Sequence, residues 1–155
     1  MNSLMTEQGD WLRGMHGLRG QLLDGLTDAD LGFSLPGNPT LGEMFREEAE
    51  IERSYADSFK SFTQTFEQGK SDPALATRLD QLKAHYQALD ADLDGTLEAL
   101  SEADIERNIE RGSSLSVRSQ LQVYFQAVLI FFGKATIYYR AMGKPLPENW
   151  KEWIG

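Results

Sequence analysis

Residues 75–100 read LATRLDQLKAHYQALDADLDGTLEAL. Leu75, Leu79, Leu82, Tyr86, Leu89, Leu93, Leu97 and Leu100 recur at steps of mostly four and three, the spacing of one face of an α-helix. The other face carries Asp, Glu, Gln, Lys and Ala, so one side meets a core and the other meets solvent. Just upstream, Ser71-Asp72-Pro73 supplies a start. Asp72 serves as the cap, and Pro73 takes the first helical position, where a missing N–H is harmless.

Reading toward the N-terminus, a second helix starts at Thr40. Thr40 and Glu43 form a capping box. The stripe Leu41, Met44, Phe45, Ile51, Tyr55, Phe59, Phe62 and Phe66 carries this helix to about Gln68, with Gly69 just past its end. Residues 31–39, LGFSLPGNP, form a loop by their Gly, Pro and Asn content. A first helix runs from about Thr6 to Leu26 through Leu12, Met15, Leu22 and Leu26. Its five glycines lower its intrinsic propensity, so it depends on packing.

Reading toward the C-terminus, residues 113–116 form another loop. A fourth helix follows, from about Ser116 to Met142, buried along Val117, Leu121, Phe125, Val128, Phe132, Ala135 and Tyr139. Between Val123 and Phe132 it is apolar nearly all round. Such a helix lies at the centre of a bundle or is shared with a second subunit. Gly143-Lys144-Pro145 ends it, and residues 147–154 form a short terminal helix with Trp150 and Trp153. The expected fold is one all-α domain over residues 1–155, an up-down four-helix bundle with a short C-terminal helix. The expected assembly is a homodimer through the fourth helix.

A faint repeat supports a helix-pair module used twice. Leu26-Thr27-Asp28-Ala29-Asp30-Leu31 echoes Leu100-Ser101-Glu102-Ala103-Asp104-Ile105. Each is followed by a loop and a capped long helix. This suits a pseudo-symmetric bundle with long crossovers.

Composition narrows the function classes. The chain has 155 residues, 15 basic against 24 acidic, a net charge of −9 and no cysteine. Scattered Lys and Arg on an acidic chain argue against nucleic-acid backbones and anionic membranes as partners. The absence of cysteine excludes disulfides, thiolate metal sites and cysteine nucleophiles. The start MNSLMTEQGDW lacks the basic-then-apolar pattern of a signal peptide. The apolar run at 123–132 is short of the roughly 18 residues a bilayer span requires. A cytoplasmic location is expected.

Three pieces, in order and spacing, resemble the DinB/YfiT-like family across about Met5 to Pro147. They are LDGLTDADL at 23–31, TLGEMF at 40–45, and GKATIYYRAMGKP at 133–145. The resemblance implies a bacterial, stress-associated four-helix fold that binds a divalent metal through three histidines. One comes from the second helix and two, one turn apart, from the fourth. Carried over residue by residue, the first ligand falls at Glu47 and the pair at Ala127 and Phe131. The arginine that usually follows falls at Phe132. A methyl and a phenyl group donate no electron pairs, and one carboxylate does not hold an ion against water. No cofactor is therefore expected. Neither helix contains a histidine.

Two readings of function follow. In the first, the protein is a binding or structural member of this fold without the family's metal chemistry. In the second, it is a transferase or hydrolase using a remodelled pocket around Glu47 and Glu48, with Gln126 and Tyr139 nearby. Thiol-dependent transferases among the family's relatives make that class the enzymatic alternative. A small-molecule ligand suits both.

The remaining constellations each have a plain alternative. Glu43, Glu47 and Glu50 fit a solvated helix start, where acids also favour the macrodipole. Glu48 and Glu52 fall on the stripe of Met44, Tyr55 and Phe59. Burying Glu48 without a partner costs several kcal/mol, so an Arg, His or Tyr partner, or a wet cavity, is expected there. His16 and His85 could form a new site between the first and third helices, or be ordinary boundary residues. Ser34 and Ser113 to Ser116 read as loop and cap serines, since no nucleophile elbow is present. Phe125, Phe131, Phe132, Tyr138 and Tyr139 either line an apolar ligand pocket or, as the plainer reading, form core or subunit interface.

Overall fold

The structure, a computed structural model, describes residues 1–67 and 69–154, the side chains of Trp153 and Ile154 excepted. Four long helices dominate: α1 (Ser3–Asp24), α3 (Leu41–Ser61), α4 (Leu79–Ala99) and α6 (Val117–Ala141). Two short helices, α2 (Asp28–Leu31) and α5 (Glu102–Ile105), follow α1 and α4. A terminal α7 (Glu148–Ile154) closes the chain. α1 and α3 each pack mainly on α4 and α6, so they lie diagonally across the bundle. Leu12, Phe45, Tyr86, Leu93, Leu121 and Phe132 are among the side chains of the core.

Contacts fix the helix directions. Arg13 pairs with Asp94 and Asp24 with Lys83, so α1 and α4 are antiparallel. Phe45 stacks edge-on with Tyr86 and Arg53 meets Asp92, so α3 and α4 run the same way. Phe45 meets Phe131 and Ser58 meets Gln120, so α6 opposes α3. The order is up-down-down-up rather than alternating. The chain after α3 must therefore travel back along it, and it does. Gln64 Nε2 donates to Ser54, Ser71 bonds Glu50, and Ala76 lies against Gly42. A Cβ on Gly42 would lie 1.9 Å from the Ala76 carbonyl oxygen. Glycine at 42 is what lets the returning strand reach the start of α3.

Several boundaries differ from the sequence expectation. α1 begins at Ser3, three residues early, because Asn2 caps it by accepting from Met5 N–H. α3 ends at Ser61 instead of near Gln68, which lies outside the described residues. Phe62 takes a left-handed φ of 57°. Its carbonyl then accepts from Glu110 N–H at 3.0 Å, and Gln64 N–H donates to Glu110 at 2.8 Å. The third helix does not run unbroken from Pro73. Pro73–Ala76 is a 3-10 turn capped by Asp72, and α4 starts at Leu79, whose N–H donates to Asp28 of α2 at 2.8 Å. The loop at 113–116 contains a strand. β2 (Ser114–Ser116) pairs antiparallel with β1 (Asn108–Glu110).

The repeat is structural. Thr27 with Asp30 and Ser101 with Asp104 each form a complete capping box at the start of α2 and α5. After α2, Ser34 bridges Thr40 antiparallel; after α5, β1 pairs β2. Each pairing delivers the chain to a capped long helix, α3 from Thr40 and α6 from Ser116.

α6 is long and apolar enough to pass for a membrane span, with a best-window mean hydropathy of 1.2. Its buried residues, including Tyr124, Phe131, Phe132 and Tyr139, form the bundle's own core. Leu129, Ile130 and Ile137 face outward.

Candidate functional site

Two features with buried carboxyl groups break the apolar interior among the described residues. One is an ionic cluster between all four long helices. Arg19 of α1 is 1% exposed and Glu52 of α3 is 0% exposed. The Arg19 guanidinium bridges Glu52 at 2.5 Å and Asp90 of α4, and lies 4.0 Å from the centre of the Tyr86 ring. His16 Nε2 shares a hydrogen bond of 2.7 Å with the Tyr124 hydroxyl of α6. The His16 ring also lies 3.4 Å from Asp90 and 3.6 Å from Glu52 Oε1. Burial, reinforced by Arg19, pushes His16 down to about 4, so the imidazole is neutral near pH 7. Burial pushes Glu52 up while Arg19 pulls it down.

His16, Glu52 and Asp90 have the donor types of a metal site and lie within 4.8 Å of one another. The charge argues otherwise. Arg19 already supplies a cation to both carboxylates, and a divalent ion about 4 Å from it would meet repulsion of several kcal/mol at a protein-like dielectric. The cluster reads as a structural ion network with its own counter-charge.

The second feature is a cleft of about 210 Å³ between α3 and α6. Met44, Ile51, Ala127, Ile130 and Phe131 wall it, and Glu47, Glu48 and Lys134 supply its charges. Each side chain is there for a local reason. Glu48 shares the core-facing stripe of Met44 and Glu52, one turn apart, while Glu47 is rotated toward solvent. Across the cleft, Ala127, Phe131 and Lys134 lie about one turn apart on α6. Glu48 is 4% exposed, and its Oε1 has no hydrogen-bond partner among the described residues. Burial, reinforced by Glu52, pushes its carboxyl up to about 8, so it is largely protonated near neutrality. A carboxyl in such a place can accept or donate one strong hydrogen bond to a molecule entering the cleft.

No family model matches the sequence, and no curated protein matches it. Among solved structures, the crystal structure of the DinB-like protein YjoA from Bacillus subtilis superposes with a TM-score of 0.73. The overlap covers 94% of this chain and 96% of that one, at 16% identity. The chain has the DinB-like fold. At that identity the DinB-like likeness extends to the fold and no further.

Within the DinB-like frame, the positions singled out from the sequence separate into two groups. Glu47, Glu48, Ala127 and Phe131 line one cleft. Gln126 is exposed and is not among its lining residues. Tyr139 is buried elsewhere, its hydroxyl bonded to the Leu22 carbonyl and packed against Gly25. The three implied ligand positions do not fit a metal. Glu47 is an exposed carboxylate, Ala127 offers a methyl, and the Phe131 ring packs on Phe45 at 4.9 Å. His16 and His85 do not meet: His16 belongs to the ionic cluster, and His85 lines a separate polar cleft with Arg53 and Lys70. The partner expected for Glu48 is absent at Oε1. Arg19 and Lys134 act on Glu48 only through the field. Sequence reasoning missed Arg19. It sits four residues after Met15 and three before Leu22, squarely on the apolar stripe of α1, and a lone charge there signals a buried partner.

Proposed function

We propose that this is a DinB-fold binding protein without the family's metal chemistry, and that its ligand enters the α3–α6 cleft. One observation carries the reading: the Glu48 carboxyl is buried at an apolar cleft with one oxygen unpartnered. Leaving a buried polar group unmade costs about 1–3 kcal/mol, a cost a ligand that bonds it repays. The cleft is smaller than the roughly 300 Å³ at which drug-sized sites begin, so the ligand, or the part of it that enters, is small. A fragment library followed through backbone amide shifts tests the site. Shifts concentrated on Met44, Ile51, Ala127 and Ile130 are expected; fragments that gather elsewhere, or none that bind, overturn it.

The enzymatic alternative, a transferase or hydrolase, draws on the same group. A carboxyl near pH 8 is a usable general acid. Turnover lost on Glu48→Gln would favour it. We further propose a homodimer through the outer face of α6, where Leu129 and Ile137, outside the cleft lining, are 43% and 58% exposed. Sedimentation of the wild type and of Ile137→Glu tests this, and a monomeric wild type at micromolar concentration contradicts it.

A further inference from the structure

We infer that the α3–α6 cleft selects an amphipathic organic cation, a primary amine carried on an apolar chain. The inference rests on the cleft being the ligand site, as proposed above, and names the chemistry that site recognises. Glu48 lines the cleft, is buried, and has an Oε1 with no hydrogen-bond partner among the described residues, so a group entering beside it reaches this carboxyl first. The strongest group that satisfies such an oxygen is a charged N–H, since charge-assisted hydrogen bonds are roughly twice as strong as neutral ones. Glu47 places a second carboxylate at the mouth of the same cleft, so an ammonium there meets two acidic groups. The walls are apolar: Met44 and Ile51 from α3, Ala127, Ile130 and Phe131 from α6. They suit an alkyl chain or a ring and offer no further polar partner. The chain's net charge of −9 draws cations toward the surface and repels anions.

The other ligand classes fit less well. A divalent ion finds carboxylates on α3 alone, since Ala127 and Phe131 contribute no donor. A hard cation takes six or more oxygens, most of which water would have to supply. An anion finds one cation, Lys134, whose exposed ammonium must act against Glu47. Lys134 is the cation in the cleft lining that opposes an amine, and it provides a sign test.

The experiment is an amide-shift titration of the full chain with n-hexylamine, n-hexanol and hexanoate in parallel. These share one chain and differ only in the charge of the head. Hexylamine is expected to shift the cleft amides and to bind at least tenfold tighter than hexanol. Glu48→Gln, which keeps size but cannot give up a proton to form an ion pair with the bound ammonium, is expected to remove that preference while amide spectra confirm its fold. Lys134→Gln is expected to tighten hexylamine about twofold to threefold, by removing a like charge across solvent. Hexanol bound as tightly as hexylamine, hexanoate preferred, or weakened hexylamine binding in Lys134→Gln each overturns the amine and leaves the cleft standing. If none of the three probes shifts a cleft amide, both the amine and the cleft reading fall.

Discussion

Glu48→Gln is expected to make the protein more stable at neutral pH. The wild-type carboxyl has a folded-state value of about 8 against an ordinary 4.5. A carboxyl raised on folding binds more protons in the native state. Its stability contribution is therefore complete below pH 4.5 and is lost as pH climbs toward 8. The loss is about 1.4 kcal/mol for each pH unit in that window. At pH 7, two and a half units above 4.5, it amounts to about 3 kcal/mol, to order of magnitude. Glutamine has no proton to lose and fills the same volume. Its buried amide lacks a partner much as the protonated acid does, so that cost largely cancels. The variant should match wild type near pH 4.5 and exceed it by about 2–3 kcal/mol at pH 7, or about 5–10 °C in Tm for a chain of this length. Urea unfolding at half-unit pH steps from 4.5 to 8 measures the difference directly. His16, held low, imposes its own loss on the acid side, and it does so equally in both proteins. A variant less stable than wild type at pH 7, or a difference that does not grow with pH, would refute the reasoning. Either result would mean that Glu48 is ionised and paired in the native state.

Arg19→Met should destabilise the fold by about 3–5 kcal/mol, because it strands Glu52 in the core without its counter-charge. Adding Glu52→Gln to that variant should recover much of the loss in chemical denaturation. Gly42→Ala should cost at least about 2 kcal/mol, since the new methyl meets a backbone carbonyl that has no rotamer by which to yield. Full wild-type stability there would contradict the close approach of Ala76 to the start of α3. Glu47→His with Ala127→His and Phe131→His places three imidazoles around one cleft. Nickel or zinc should then raise the Tm by several degrees, with stoichiometric binding by calorimetry. A folded triple variant that ignores both metals would show that the α3–α6 register is wrong.

Much of the fold was legible because helix caps are local chemistry. Thr40 with Glu43, Thr27 with Asp30 and Ser101 with Asp104 spell three helix starts within four residues each, and all three capping boxes form. The leucine spacing of α4 and the apolar band of α6 identified the bundle for the same reason. The end of α3 was hidden because Phe62 and Phe66 continue its spacing. Neither glycine nor proline marks the point at which the chain turns to pair with Glu110. The small sheet was hidden because Ser113 to Ser116 reads as a loop, and its pairing with residues 108–110 depends on tertiary position. The direction of α4 depends on the contacts that Ser71 and Ala76 make back along α3, which no short-range pattern records.

The site was half legible. The stripe of Met44, Tyr55 and Phe59 places Glu48 and Glu52 inward, and both are buried. Which of them finds a counter-charge depends on Arg19 of α1, which reaches Glu52 Oε2 and leaves the Oε1 atoms of both Glu52 and Glu48 without a hydrogen bond. Nothing within either helix distinguishes the two. Asp90, between Leu89 and Leu93 of α4 yet only partly exposed, was equally silent in the sequence.

The most direct measurement is the pH titration of the Glu48 side-chain carboxyl carbon by NMR, in the wild-type protein without added ligand. The account expects a midpoint near pH 8, with the acid still mostly protonated at pH 7. A midpoint at or below pH 4.5 would contradict it, because the carboxylate would then be paired or hydrated in the native state rather than buried without a partner.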